Sequence, residues 1–599
     1  MKRRILWLGL SCLMVAAMLL ASCSNVTQTT ATITATTTAI ITTTTSATTA
    51  LTTSETNMVK DFMGRLVEAP KYGGTFRPVF ATDPASTDPG DGASLSVYVF
   101  NLVFEKLGIG DWTAAGAGTG EQLYLHGSYF DFAKYGKPNL AESWEMTDPL
   151  TLTVHIRQGV HFQNKAPVNG RELVAEDVRY CFQRYFDNTV APADFRAYLA
   201  SITTTDKWTV VFKWKQPYCK AVEDIVFGRV YIYAPELVTT YGNLSNWKNL
   251  VGTGPFAMTD FVQGGVETFV ANPNYWATDE IIPGNKLPYL GRVQGIVFSD
   301  PAAIMAALRT GKTDWVFNIN DEQAQTIISS APQLKYQACP KMEANPLVVL
   351  RVTETPLNDI RIRQALMLAI DFNGIIKDYF HGDAVPLTFP IMKQWANYYT
   401  ALEDMPADIQ ELYSYNVTKA KALMTAAGYP TGFNVDFLIF PSTATQCQML
   451  MGYWKELGIT FNVSTPDAAT AVAKLWTKNF HGIGTVTAGI TGPITCLTWS
   501  TSTHTYDWES YNNPAYDALI AKLLATTDPD EQATLVKQAV IMVYRDIPYF
   551  TFPGGYGYNF WQPWVKNYHG EICLGGVMGY NTWTSRIWVD DSLKKSMGY

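Results

Sequence analysis

Cysteine and histidine are scarce in this chain, with eight and seven among 599 residues. Cys12 lies in an apolar N-terminal stretch and Cys23 just after it. The other six, Cys181, Cys219, Cys339, Cys447, Cys496 and Cys573, include no two at metal-ligand spacing. Sparse cysteines in a large exported domain read as buried apolar residues, and no pairing is assigned. No two histidines stand four apart on a helix with Glu between them, which removes the metalloprotease pattern. His155 and His161 fall on or beside one strand, where a satisfied histidine is the better reading. A Gly-x-Ser-x-Gly elbow is missing as well. Gly311-Lys312-Thr313 ends like a phosphate loop, but Ala306 stands where that motif needs glycine, and the helix precedes the turn. Excess positive charge is also lacking. The formal charge is −8, and removing the basic leader makes it more negative, which argues against nucleic acid or an anionic membrane surface as partner. Past the leader no continuous apolar run reaches the roughly 20 residues that span a bilayer. Paired carboxylates for glycoside hydrolysis come from distant positions and leave no local signature, so a secreted hydrolase stands only as an unsupported alternative. No metal or cofactor is expected.

The N-terminus carries what the body lacks. Lys2, Arg3 and Arg4 precede the apolar stretch Ile5 to Leu19, and Leu20-Ala21-Ser22-Cys23 follows, the layout of a secretory leader over residues 1–22. Cys23 after Leu-Ala-Ser resembles the site at which bacterial lipoproteins are lipidated. That implies an exported chain anchored on the outer side of the cytoplasmic membrane or in the periplasm. From Val26 to Thr56 the sequence is almost only Thr, Ala and Ser, with too little apolar surface to offset the entropy of ordering. Residues 23–71 are therefore expected to form a disordered tether with an r.m.s. reach of about 40 Å.

The remainder is longer than one core usually organises, so at least two lobes are expected. A strand is predicted over Gly74 to Phe80, followed by the turn-forming DPASTDPGD from Asp83 to Asp91. Leu152, Val154 and Ile156 alternate with polar residues, as do the residues from Val210 to Lys215, the pattern of half-buried strands. Asp300-Pro301 caps a helix that stops at Gly311. Asn358 or Asp359 caps another, with Ile362, Leu366, Ala369 and Ile370 on one face. Asn416 opens a third that ends at Gly428, and Asn513-Pro514 and Asp528-Pro529 open two more, the last ending before Pro548. Strand and helix signals alternate throughout, so the class is α/β.

Four blocks carry a family resemblance: NLAESWEMTDPLTLTVHIRQGVHF from Asn139, continuing to VAEDVRYCFQRY; VGTGPFAMTDFVQGGVETFVANPNYW from Val251; PLNDIRIRQALMLAIDFNGIIKDYF from Pro356; and YNVTKAKALMTAAGYPTGF from Tyr415. In type and order they resemble the extracellular solute-binding proteins of family 5, the oligopeptide, dipeptide and nickel class that delivers solute to ABC importers. The resemblance implies a two-lobed α/β fold of the periplasmic-binding-protein type II kind. Lobe I would span 72–316 with an inserted subdomain at about 97–235, lobe II would span 317–547, and residues 548–599 would return to lobe I. The crossings are expected near Trp315–Asn318 and Pro548–Phe552. It implies a non-enzymatic monomer whose partners are a small-molecule or peptide ligand and an ABC permease.

Candidate cleft residues are Phe80, Asp83 and Asp88 after the first strand, Thr487 and Gly489, and Trp499, Tyr506 and Trp508 in a polar stretch without helical periodicity. Many peptide-binding members have a segment resembling Gly-Trp-x-x-Asp-Tyr-x-Asp-Pro whose first Asp pairs with the peptide ammonium. Spacing to Pro493 puts Gly489 at that position here. Another acid, Asp83 or Asp88, would have to take over, or the ligand lacks an ammonium. An oligosaccharide lying on indole rings is the alternative within the family. A nickel complex fits less well, for want of a histidine cluster.

Overall fold

The computed structural model describes residues 57–80, 83–84, 86–91, 97–113, 132–188, 193–298, 300–340, 343–489, 492–570 and 580–599. The leader, Cys23, the Thr-rich tract to Thr56 and Cys573 lie outside them. The ordered body begins earlier than the composition suggested. Met58–Lys60 and Leu66–Glu68 pair as an antiparallel hairpin. Asp61 closes its turn by accepting from the backbone of Met63 and Arg65. Val59 and Val67 pack on the main core, and Glu68 and Lys71 form ion pairs with Lys566 and Asp590. Residues 57–71 are thus part of the fold and not of a tether, because two valines and two long-range ion pairs tie them down.

The first sheet has the order Phe256–Phe261, Val266–Ala271, Leu290–Val297 and Gly73–Phe76, with Val79–Phe80 also on Leu290–Val297. The single strand expected from Gly74 to Phe80 is broken at Arg77–Pro78, since proline has no N–H for a ladder. Pro78 instead bridges Trp315, while Arg77 O accepts from the Asp314 N–H and the Arg77 N–H donates to the Asp314 carboxylate at 2.8 Å. A separate four-stranded antiparallel sheet, Ala141–Asp148, Thr151–Ile156, Thr209–Trp214 and Leu199–Asp206, is covered by the helix Ala175–Asp187. Its alternation is as predicted: Leu152, Val154, Ile156, Val210 and Phe212 are buried.

The second large sheet has the order Thr460–Ser464, Asn434–Leu438, Ile483–Gly489, Glu343–Leu350 and Tyr549–Thr551, the first three parallel. Helices Ile360–Leu368 and Val417–Ala426 pack on one another beside it, as do Pro514–Ala525 and Pro529–Asp546. Their N-caps are Asp359, Asn416, Asn513 and Asp528, each accepting from a first-turn backbone N–H as the sequence implied.

Between these sheets, Gly554–Trp561 lies between Trp315–Ile319 and Lys335–Pro340, antiparallel to both. Trp315–Ile319 therefore belongs with the first sheet's side, and the pairing changes sheets only after Lys335–Pro340, with Glu343–Leu350 in the second sheet, instead of near Trp315–Asn318. The return falls at 551–554. Cys181, Cys219 and Cys447 are free thiols, and Cys181, Cys339, Cys447 and Cys496 are buried.

Asp88, a candidate ligand residue, is fully buried and held by Arg184 through two bonds of 2.7 Å, with Gly90 and Leu244 donating backbone N–H groups. Burial alone would raise its carboxyl, but Arg184 and those amides hold it below its ordinary value. The guanidinium lies so close over Gly90 that a Cβ there would fall 2.2 Å from Nη1, so a side chain at this position would push Arg184 off Asp88. Asp88 anchors the loop and is not available to a ligand. Arg184→Ala should leave that carboxylate buried and unpaired, at a cost of about 3 kcal/mol or more in urea unfolding. A loss within error of zero would contradict this role.

Candidate ligand-binding cleft

Strand directions decide where a ligand could sit. In the second sheet the parallel strands end at Ser464, Leu438 and Gly489, and Thr551 ends on the same edge. In the first, Val79–Phe80 and Leu290–Val297 run parallel and end at Phe80 and Val297, and Trp315 bridges Pro78 in the same sense. The chain changes sheets after Pro340 and again between Thr551 and Gly554, and Pro340, Glu343, Thr551 and Gly554 all lie at these C-terminal edges. Ligands of α/β sheets gather at such edges, where strands give way to loops.

The edge of the second sheet is rich in hydroxyls. Ser442 Oγ and Thr487 Oγ1 are 3.1 Å apart, Thr443 and Thr485 share a 3.0 Å bond, and Gln446 Nε2 donates to the Tyr379 hydroxyl at 3.4 Å. Gln446 Oε1 is buried without a partner. Gly489 is exposed, and a Cβ built on it would meet nothing within 4 Å, so the position is open. The Tyr379 phenol is raised by burial and further by Glu322 from the opposite lobe. His381 Nε2 reaches to 3.9 Å from Asp321 Oδ2, also across the crossings.

The facing edge carries Phe80, Asp83 and Glu267. Phe80 is 3% exposed, its ring laid over Gly295. Asp83 accepts from Gly264 N at 2.8 and 3.0 Å. Glu267, which the sequence reading passed over, is 1% exposed with Oε2 unpartnered. Burial, and secondarily Asp83, pushes its carboxyl up to about 8. A different groove of about 680 Å³ opens toward the starts of the same strands, lined by Gly74, Arg77, Arg292 and Lys595 among others, away from these edges.

Residues 136–534 match the model of the bacterial extracellular solute-binding proteins, family 5 Middle. The chain belongs to family 5. It is 26% identical over 471 residues to a heme-binding protein A from Haemophilus influenzae, covering 72% of this chain and 81% of that one. A glutathione-binding protein GsiB from Shigella flexneri is 27% identical over 439 residues, 68% and 79% of the two chains. Among solved structures, the periplasmic binding protein DppA from Helicobacter pylori in complex with peptide STSA superposes with a TM-score of 0.68 at 20% identity, covering 87% of this chain and 98% of that one. The fold is the two-lobed α/β fold of type II periplasmic binding proteins.

Within this family 5 fold the expected aromatic wall is located elsewhere. Trp499 and Trp508 are 7% and 5% exposed. Trp499 packs on Phe389 and Trp508, and Tyr506, half-buried, stacks between Trp508 and Trp476. Arg351 locates the group: its Nη1 donates to Trp508 O, and its backbone N to Gly482 O, just before the strand that ends at Gly489. The Trp508 backbone thus lies near the starting edge of that strand, and the Trp499 and Trp508 rings are buried in packing with Phe389 and Tyr506. Trp508→Ala should cost about 3–5 kcal/mol of stability in urea unfolding, the range for emptying an aromatic core site. A stable variant impaired only in ligand binding would contradict this placement.

Proposed function

We propose that this chain captures an oligopeptide or peptide-like solute between the two sheet edges and delivers it to an ABC permease, making and breaking no covalent bond. The observation that carries the reading is the convergence of both C-terminal edges on the two crossings. One edge offers hydroxyls and open backbone at Gly489, the other an aromatic ring and acids. Extended backbone needs donors and acceptors of that kind along its length. The solved relative with peptide STSA supports the same ligand class. The oligosaccharide reading loses its ground, because the indoles that recommended it are buried.

The proposed division is lobe I as 57–340 with 554–599, including a subdomain at about 97–235, and lobe II as 343–551, the two also joined where Ala384–Val385 pairs with Gly554–Gly555. Closure would be a rigid-body rotation about the connections that follow Pro340 and Thr551. Native mass spectrometry of the purified protein should find a retained peptide-like ligand. Calorimetry with a peptide panel should give micromolar affinity or better, about −8 kcal/mol. Ligand should also reduce the radius of gyration in X-ray scattering and raise Tm by mass action. Binding with no change in scattering would contradict closure, and a retained ligand without peptide character would overturn the ligand class.

Cys23 is proposed as a lipid anchor, supported by the leader layout and the extracellular character of family 5. Cys23→Ala should release the body from the membrane fraction or leave unprocessed precursor. A processed variant that fractionates with membranes like the wild type would rule the anchor out.

A further inference from the structure

Glu267 Oε2 is buried and has no hydrogen-bond partner among the described residues, and strand register fixes the face that Glu267 occupies. It pairs across from Gly295. Two residues on, Val297 pairs with Phe80, so Phe80, Gly295 and Glu267 share one face. The Cβ that Gly295 lacks would fall 2.0 Å from the Phe80 ring, so the ring lies over bare backbone toward Glu267. Phe269 and Val293 continue that face and are buried. The acid therefore stands at the end of an apolar face, at the lip where the strands stop. Asp83, from the loop after Phe80, is near enough to act on it electrostatically. Among the described residues no cation is paired with either acid: Asp83 accepts only the Gly264 N–H, and Glu267 Oε2 accepts nothing. Asp260 on the adjacent strand pairs with Thr268, on the opposite face.

A buried carboxylate without a partner is costly, and such groups cluster at functional sites. The facing lobe has glycine, open to solvent, at the position where spacing would put an ammonium-binding aspartate. We infer that Glu267 and Asp83 form a subsite for a cationic group of the bound solute, a peptide α-ammonium or a basic side chain, supplying from lobe I the charge that Gly489 does not. The inference rests on the reading that the solute lies between the two edges. Binding would convert Glu267 to carboxylate and release its proton, so affinity for a cation should rise with pH toward about 8 by up to about tenfold per pH unit, while affinity for a neutral analogue should not.

The test is calorimetry on the mature chain with trialanine, N-acetyl-trialanine and 1,4-diaminobutane, in two buffers of different ionisation enthalpy. Wild type, Glu267→Gln and Asp83→Asn are compared. Acetylation should weaken wild-type binding about tenfold or more, with proton release on binding the free form. Glu267→Gln should erase both effects, and Asp83→Asn should reduce them. An unchanged preference and proton release in Glu267→Gln would overturn the subsite. If neither peptide binds wild type, the peptide reading fails by itself. The diamine then decides: saturable heat that Glu267→Gln removes supports the subsite, and no heat overturns it.

Folding of the variant is checked by its own pH signature. A carboxyl raised in the folded state makes stability fall as pH rises from the unfolded value near 4.5 toward 8. Glu267→Gln should match wild type near pH 5 and show a shallower decline above it. An equal decline would mean that Glu267 is not held protonated, and would count against the subsite.

Discussion

The strand Gly554–Trp561 is the element on which the rest of the molecule depends. It fills the space between Trp315–Ile319 and Lys335–Pro340, so that sheet cannot form until the chain has built the second lobe and come back. The last fifty residues then fasten the first lobe together. Gln562 donates to Leu308 O at 2.6 Å, and Trp564 Nε1 donates to Asp314 Oδ1 at 2.8 Å. Asp314, fully buried, also accepts from Arg77 N and Lys594, so one carboxylate joins the beginning, middle and end of the sequence. Pairing over such sequence distances is slow to form, and it makes the two crossings unavoidable. The cleft follows from the same connectivity, because the segments that must return are the ones at the open edges of the strands.

Local rules read well wherever local chemistry decides. Asp300, Asp359, Asn416, Asn513 and Asp528 cap their helices because a short oxygen-bearing side chain before a helical run satisfies orphan amides whatever the tertiary context. Boundaries set by tertiary pairing read less well. Nothing in the Trp315–Ile319 strand says which sheet it joins, and that choice moves the first crossing about 25 residues down the chain. The hairpin at 58–68 was visible as a shift from Thr and Ala to Val, Asp and Gly after Thr56, a signal that the low-complexity tract overshadowed.

Among the candidate cleft residues, Thr487 and Gly489 lie at the end of the strand Ile483–Gly489, whereas the aromatic candidates are enclosed by packing that no local pattern announces. Trp499 and Trp508 sit in a Ser- and Thr-rich stretch that reads as surface, yet the core of lobe II reaches out to enclose them. Asp88 was indistinguishable from Asp83 by sequence, since both precede proline. What separates them is Arg184, 96 positions away. Glu267 did leave a trace. In VETFVA the period-two pattern puts Glu267 on the face of Phe269, a charge where an apolar residue belongs.

That misplaced charge bears on how selectivity can be built without a conventional ion pair. An acid kept protonated by its surroundings costs the empty protein little, because neutral COOH is tolerated where carboxylate is not. A cation entering beside it supplies the missing partner, and part of its binding energy goes into ionising the acid. A neutral solute finds a carboxylic acid and a phenyl ring, and gains no charge pair. Discrimination then comes from the difference between the two bound states and not from raw affinity. The Phe80 ring, laid over Gly295 on the same face, would add to the burial that favours the proton on Glu267 until a cation replaces it. Moving the acid from the exposed Gly489 position to this lip would thus exchange a permanently charged anchor for one whose charge depends on the ligand.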